Sequence, residues 1–243
     1  MKKTLLFAIT MAIIIGFGSC SNKSEKKGNQ QEQSGEKIKE TKPAVCIWNK
    51  GSIREEPKKG AKWVSSMALG EELTWLGETK VDSAKNVKYH KIQLSDKTSG
   101  WASEYTVVID ATPGVIIKEA SIYQRPDLLT VSDDKFDKMD IIAVKEQKDK
   151  WSKVIGARKK EKGWIKSDHI SDKRSNIAVA LLSQKALNQK DKNEKIKQLK
   201  KITSNASFQE SSFMPELKEK LDKLTAPADT SSTKETQPVK EES

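Results

Sequence analysis

The chain has 243 residues, of which 45 are basic and 34 acidic, and its formal net charge is +11. A basic surface attracts anions such as lipid headgroups, wall polymers, acidic glycans or nucleic acid, but here the charges are interspersed in sign, as on an ordinary solvated surface. The two histidines, His90 and His169, have no spacing typical of a metal site.

The N-terminus has the three parts of a secretory signal. A basic start, Met1–Thr4, is followed by an apolar run from Leu5 to Phe17 and then by Gly18-Ser19-Cys20. The apolar run is shorter than the roughly 20 residues that span a bilayer comfortably. We therefore expect residues 1–19 to be a signal peptide, and not a transmembrane anchor or a buried core helix.

The segment Phe17-Gly18-Ser19-Cys20 resembles the bacterial lipobox. Phe17 stands where that motif usually has Leu, which is similar to the looser lipoboxes of spirochaetes. The resemblance implies that the thiol of Cys20 receives diacylglycerol, that cleavage precedes it, and that its amino group receives a further chain such as palmitate. Two or more acyl chains hold a protein stably on a membrane. We expect a lipoprotein on the extracytoplasmic side of the envelope, periplasmic or surface-exposed, which disfavours nucleic acid as a partner.

Once Cys20 is lipidated, Cys46 is the remaining cysteine and has no partner for an internal disulfide. Cys46 lies in the apolar run Val45–Trp48, which is typical of a strand. We expect it to be a small buried hydrophobic residue, with an intermolecular disulfide as the alternative.

Two segments have compositions that do not support folding. Residues 20–43 are mostly Lys, Glu, Gln, Ser and Gly, with Ile38 as the one large apolar side chain between Ser21 and Lys42. Such a segment buries too little apolar surface to fold and predicts a flexible tether. The tail at 226–243 is rich in Thr, Ser, Pro, Glu and Lys, and we expect it to be disordered.

An internal repeat lies between these segments. Ser52–Pro57 recurs as Ser121–Pro126, Lys88–Ile92 as Lys150–Val154, and Gly100–Ala102 as Gly163–Ile165. The order is kept and only the loop lengths differ, which predicts two copies of one domain, at 44–109 and 110–173.

Each copy contains short β-like runs separated by turn residues, which favours a small barrel or sandwich. The predicted strands are Val45–Trp48, Glu72–Leu76, Tyr89–Leu94 and Gly100–Ala102, then Val115–Ile117, Ile141–Val144, Trp151–Ile155 and Gly163–Ile165.

The block at 174–225 has helical periodicity instead. Its apolar residues recur at intervals of three and four, and the stripes are broken at residues 188–193 and 203–212. We expect two or three helices, with Pro215 in a first helical turn.

The repeated segments resemble the bacterial SH3-like domain. Both copies have a Ser-Ile-x-x-x-Pro opening, an aromatic-x-Lys-Val/Ile strand and a Gly-Trp strand about ten residues later. The family commonly opens with Asn-Val-Arg-x-x-Pro, and Tyr123 stands where that Arg would be in the second copy. The resemblance implies two small β-barrels in tandem, of five or more strands each, used for binding and not for catalysis. Family members commonly bind cell-wall peptide.

Strand alternation provides candidate ligand-binding residues. In Tyr89–Leu94, Tyr89 and Lys91 lie on one face and Ile92 on the other, and Trp151 and Lys153 oppose Val154 in the same way. If Ile92 and Val154 face the core, Tyr89 and Trp151 lie nearer the surface, where each ring beside its lysine could stack on a peptide or sugar. The alternative is that a bulge turns the rings inward and they merely pack.

Nothing in the sequence points to catalysis. There is no Gly-x-Ser-x-Gly motif, no phosphate loop and no nucleophilic Cys paired with a His. We expect no catalytic residues, no cofactor and no metal. The leading prediction is a lipid-anchored, non-catalytic binding protein of the cell envelope that recognises peptidoglycan or another surface ligand. Two alternatives stay open: an adhesin that binds host matrix or plasma proteins, and an assembly scaffold that acts through its C-terminal helices.

Overall fold

The computed structural model describes residues 40–226, which form two antiparallel β-sheets followed by three helices. The prediction of a mainly β chain with a C-terminal helical segment is confirmed. The predicted signal peptide, Cys20 and the predicted tether up to residue 39 lie outside the described residues, as does the predicted tail from residue 227.

The first sheet contains seven strands from residues 42–109. They are β1 (Lys42–Cys46), β2 (Gly51–Arg54), β3 (Trp63–Met67), β4 (Glu72–Asp82), β5 (Val87–Gln93), β6 (Ser99–Ser103) and β7 (Val107–Ile109). Their order across the sheet is β3-β2-β6-β5-β4-β1-β7.

The second sheet repeats this arrangement strand for strand. It contains β8 (Thr112–Ile116), β9 (Ala120–Tyr123), β10 (Val131–Phe136), β11 (Ile141–Lys148), β12 (Trp151–Gly156), β13 (Lys162–Lys166) and β14 (Ile170–Ser171). Their order is β10-β9-β13-β12-β11-β8-β14. The repeat in the sequence therefore corresponds to a repeat in strand topology.

Each sheet curls around one apolar core but does not close. All seven strands of the second sheet contribute to a single cluster, and the first sheet behaves in the same way. The end strands, β3 and β7 or β10 and β14, do not pair with each other. The prediction of two small SH3-like barrels is therefore not confirmed, since neither sheet closes. One reason is that the end strands offer little to pair: β14 has two residues, and the β10 register shifts between Val131 and Lys135.

The repeated Gly-Trp element marks a close approach of two strands. A Cβ atom on Gly100 would lie 2.6 Å from Cγ2 of Ile53 and 2.7 Å from the carbonyl oxygen of Arg54. On Gly163 it would lie 2.5 Å from Cγ2 of Ile122 and 2.8 Å from a backbone oxygen of the neighbouring strand. Carbon atoms normally pack at about 3.5–4.0 Å, so only glycine fits at either position.

The two sheets are docked on each other through an apolar layer of Val45, Ile47, Val108, Ala111, Ala143 and Ile155. The turn after β12 reinforces this contact. Arg158 has a left-handed backbone, its N–H donates to the carbonyl of Ile47 at 2.8 Å, and its guanidinium lies 5.2 Å from the ring centre of Trp48. The Lys159 ammonium donates to the carbonyl of Glu104. The repeats therefore form one compact body.

Three helices follow the second sheet: α1 (Arg174–Leu187), α2 (Lys192–Thr203) and α3 (Met214–Thr225). Pro215 lies in the first turn of α3, as predicted. The helices pack with Val115, Met139 and Ile141 of the second sheet in one apolar cluster. None of the helices within residues 40–226 has the length and hydrophobicity needed to cross a bilayer.

Candidate functional site

The predicted binding residues lie on the outer face of each sheet, opposite its core. Ile92 and Val154 are fully buried in the two cores. Lys91 is paired directly with Trp101, and Lys153 with Trp164, so each lysine shares the outer face with a tryptophan. Trp101 and Trp164 are buried but belong to neither core cluster.

The predicted exposure of Tyr89 and Trp151 is wrong. Tyr89 is 6% exposed and Trp151 is 8% exposed. No bulge in β5 or β12 turns the rings toward the core; long side chains from neighbouring strands cover the outer face instead. Lys80 lies 5.3 Å from the ring centre of Trp101, and burial raises the pKa of Tyr89 above its ordinary value.

Lys91 and Lys153 differ in their surroundings. The Lys91 ammonium is half-buried and forms an ion pair with Glu78 at 3.3 Å. Lys153 is exposed, and its ammonium lies 5.9 Å from the ring centre of Trp164. The structure therefore brings neither lysine together with Tyr89 or Trp151 in one open pocket.

Trp151 instead forms the floor of a different site. Its ring meets the edge of Tyr123 at 4.9 Å between ring centres, with planes at 79°. Lys166 is paired with Trp151 across β12 and β13, and its ammonium lies 3.7 Å from the ring centre. At that distance the cation is attracted to the face of the ring, and the contact fixes the position of the lysine.

Two adjoining cavities lie beside this ring, and we call them together the Trp151 groove. The first, of about 440 Å³, is lined by Pro126, Lys148, Asp149, Lys150, Trp151 and Lys166. The second, of about 640 Å³, shares Asp149, Lys150 and Lys166 and continues along Ser167, Asp168 and His169. The groove therefore runs from the loop after β9 to the short turn before β14.

Local geometry explains how the groove forms. The hairpin between β11 and β12 has a connection of only two residues, with Asp149 in a left-handed conformation that aspartate tolerates well. Lys148 and Lys150 therefore flank the start of β12. The Ser167 N–H donates to the carbonyl of Lys150 at 3.0 Å, which holds the turn at residues 167–169 against the hairpin.

The groove favours an anionic ligand. Its lysines, Lys148, Lys150 and Lys166, form no ion pair with any residue in the described part of the chain, although Asp149 and Asp168 are nearby. A carboxylate or phosphate could therefore bind these ammonium groups without displacing an acidic partner.

The first repeat has different residues at the same positions. Tyr89 corresponds to Trp151, and its cross-strand partner is Ser103, where the second repeat has Lys166. The hairpin between β4 and β5 is also longer, because residues 83–86 connect the two strands. Lys166, which faces the ring of Trp151, is therefore a feature of the second repeat, whereas Lys148 and Lys150 have lysine counterparts in Lys80 and Lys88.

A larger cleft lies between the first sheet and α1, with a volume of about 670 Å³. Its walls mix opposite charges, and Arg174 forms an ion pair there with Glu72 at 3.2 Å. A third cavity, of about 530 Å³, lies along α1 and α2, where Lys185, Lys197 and Lys201 surround the apolar side chains Leu182, Ile202 and Phe208. We call it the helical groove.

The groups capable of proton or metal chemistry are separated. His90 Nδ1 lies 2.9 Å from the hydroxyl of Thr79, and burial lowers the pKa of His90. His169 Nδ1 lies 2.8 Å from the carbonyl oxygen of Glu119. Burial raises the pKa of Cys46 to about 11, and its thiol donates to the carbonyl of Trp48. Within residues 40–226, no group of three His, Cys, Asp or Glu residues could hold a metal ion.

Sequence reasoning missed most of the groove. It selected Trp151, but not Lys148, Lys150 or Lys166. One signal was available: Lys-Asp-Lys-Trp at 148–151 is a tight turn that places two lysines beside an aromatic residue. Lys166 gave no such signal, because its proximity to Trp151 depends on the pairing of β12 with β13.

No family model and no curated protein matches the sequence. Among solved structures, the chain is similar to NlpC2 and NlpC1 from Trichomonas vaginalis, each at 10% identity and a TM-score of 0.25. The matches cover 67% and 61% of this chain, and 56% and 54% of those chains. The chain thus spans little more than half the length of these structures, and a likeness this weak indicates neither a shared activity nor a shared ligand.

Proposed function

We propose that this protein is a non-catalytic binding protein of the bacterial cell envelope, anchored by lipid on Cys20. Its two repeats are SH3-like domains, and the second binds an anionic surface ligand, with the carboxylate-bearing peptides of the cell wall as the leading class. The signal and lipobox in the sequence support the location. The shared strand order and the Gly-Trp elements support the paired domains.

The Trp151 groove is the observation that carries the binding proposal. It joins an aromatic floor to three lysines that have no acidic partner among the described residues. A peptide carboxylate can bind the ammonium groups while its apolar part packs on Pro126, beside the lysine-covered ring of Trp151. The groove is open to solvent and offers the positive charge of three lysines, which suits the binding of an anionic peptide.

The state of Cys46 supports a role without covalent catalysis. The thiolate form of cysteine is the nucleophile, and a thiol with a pKa of about 11 stays protonated near neutral pH. Cys46 is also fully buried, so no substrate reaches its sulfur. It serves the core of the first repeat.

The proposal is tested by sedimenting purified Ser21–Ser243 with insoluble peptidoglycan. We compare the wild type with Lys150→Gln and Lys166→Gln, and with Lys88→Gln, which occupies the first-repeat position equivalent to Lys150. Each groove substitution is expected to weaken binding about three- to tenfold, because it removes one charge-assisted contact, and Lys88→Gln should not. Equal binding by all four proteins would refute the role of the groove, and no binding by the wild type would refute the wall ligand.

The helical groove favours a second candidate function, an assembly scaffold. Leu182 is exposed there beside three lysines, which suits an acidic helix with one apolar face. In this case Lys197→Glu with Lys201→Glu would abolish capture of envelope proteins, while binding to peptidoglycan would stay unchanged. Unchanged capture would rule out the scaffold.

A further inference from the structure

The loop between β9 and β10 presents bare apolar side chains to water. We call residues 125–131 the leucine loop. In it, Leu128 is 61% exposed, Leu129 is 91% exposed and Val131 is 55% exposed. Single exposed hydrophobic residues are common, but three within four residues form a contiguous patch, and such patches mark contact surfaces.

The leucine loop is held in shape by its own hydrogen bonds and not by packing of the leucines. The Asp127 carboxylate accepts from the Leu129 N–H at 3.0 Å, and the Thr130 N–H donates to the carbonyl of Asp127 at 3.1 Å. The Thr130 hydroxyl donates to the carbonyl of Arg125 at 3.0 Å, and the Gln124 N–H donates to that of Thr130 at 2.9 Å. The tip is therefore preorganised with both leucines directed away from the core.

The repeat architecture does not require these leucines. Aligning Ser52–Pro57 with Ser121–Pro126 places Lys59 and Gly60 of the first repeat opposite Leu128 and Leu129. The first repeat forms the same strand pair, β2 with β3, with a polar tip. The fold therefore forms without an exposed leucine pair, and its presence in the second repeat is better explained by a contact outside the domain.

The surroundings of the leucine loop favour a lipid surface over a protein. Leu129, at 91% exposure, protrudes into water, whereas protein hot spots are usually surrounded by a ring of contacts that excludes water. Lipid tails rearrange around a protruding side chain, and the phosphate groups of lipids bind the ammonium groups of lysines. Pro126 connects the loop to the Trp151 groove, and together they carry four basic and three acidic side chains: Arg125, Lys148, Lys150, Lys166, Asp127, Asp149 and Asp168.

We propose that the leucine loop inserts Leu128 and Leu129 into the phospholipid surface beneath the protein, an inference that rests on the proposed lipid anchor at Cys20. A flexible chain of 19 residues, the number between Cys20 and the described fold, would span about 25 Å on average and would keep the folded part close to the bilayer. Even weak insertion is then effective, because the tether makes it an intramolecular event at an effective concentration on the order of millimolar. The charges in and beside the loop nearly cancel, so insertion depends mainly on the leucines.

The test attaches Ser21–Ser243 through an N-terminal histidine tag to phosphatidylcholine vesicles that contain a nickel-chelating lipid. A polarity-sensitive dye is placed on Leu129→Cys or, as the control, on Lys59→Cys at the tip of the equivalent loop in the first repeat. The buried thiol of Cys46 does not compete for the dye. We expect the emission of the dye at residue 129 to rise at least about twofold on vesicles, and that at residue 59 to stay unchanged.

A second measurement needs no label. Without a tag, the double variant Leu128→Ser with Leu129→Ser should partition into vesicles at least about tenfold less than the wild type, with little dependence on salt. The proposed insertion is refuted if the emission of the dye at residue 129 does not rise on vesicles, or if the two proteins partition equally. Either result would favour a protein partner for the leucines. The tag replaces the natural anchor, so a negative result bears on neither lipidation of Cys20 nor binding to peptidoglycan.

Discussion

Adding one methyl group at Gly100 should destabilise the first repeat strongly. In Gly100→Ala, the new Cβ would approach Cγ2 of Ile53 to 2.6 Å and the Arg54 carbonyl oxygen to 2.7 Å. Both distances are about 1 Å short of ordinary contacts, and a backbone oxygen cannot rotate away. The strands must separate, which weakens their pairing. Overpacking of this kind costs about 1–3 kcal/mol. Because Gly100→Ala creates two clashes at once, we expect it to lower the free energy of unfolding by about 3 kcal/mol.

Equilibrium unfolding in urea, followed by far-ultraviolet circular dichroism, measures this cost. With a slope of about 2 kcal/mol per molar, a loss of about 3 kcal/mol lowers the midpoint by about 1.5 M. Gly51→Ala is the matched control, since its Cβ would meet only the free end of Met67, at 2.8 Å, and Cys46 Sγ at 3.2 Å. It should cost less than about 1 kcal/mol. A midpoint for Gly100→Ala no lower than that for Gly51→Ala would refute the close-approach argument.

Three further variants test other parts of the structure, each by urea unfolding. Asn176→Ala should cost about 2–3 kcal/mol, because the buried amide of Asn176 accepts from the Ser212 N–H at 2.9 Å and donates to Ser171 Oγ at 2.8 Å; a loss below about 0.5 kcal/mol would contradict this. Ser183→Ala should instead stabilise the protein by about 1 kcal/mol, since its buried hydroxyl has no hydrogen-bond partner in the described structure; destabilisation would count against that. Burial raises the pKa of Cys46 from 9.0 to about 11, so its contribution to stability is complete below pH 9.0 and is lost as the pH rises toward 11. The free energy of unfolding should therefore fall more steeply with alkaline pH in the wild type than in Cys46→Ala, and parallel curves would contradict the shift.

The repeat and the helices could be predicted because each leaves a direct pattern in the sequence. Gly100 and Gly163 recur since the same strands approach closely in both copies. The helical stripes recur because α1, α2 and α3 each bury one face. The strands that were missed, such as β3 and β14, are short or half-exposed and show no clear alternation.

The site was less predictable for a physical reason. Alternation assigned Tyr89 and Trp151 to the outer face, but it does not show what covers that face. Lys166 covers the ring of Trp151 and Lys80 lies over that of Trp101. Both lysines lie on other strands and reach the rings only after the sheets form. Whether each sheet closes into a barrel was equally hard to predict, because closure depends on how the two end strands meet.

The position of β1 determines how the protein would respond to mechanical force. This strand lies inside the first sheet, with β4 along one edge and β7 along the other. If the protein is anchored through Cys20 and binds the wall elsewhere, as proposed, tension would enter the described fold at Glu40, just before β1. That pull acts on two hydrogen-bonded ladders at once, and β1 cannot peel away from one neighbour while it stays paired with the other. A tether of the proposed kind would therefore join the fold at a strand that resists extraction.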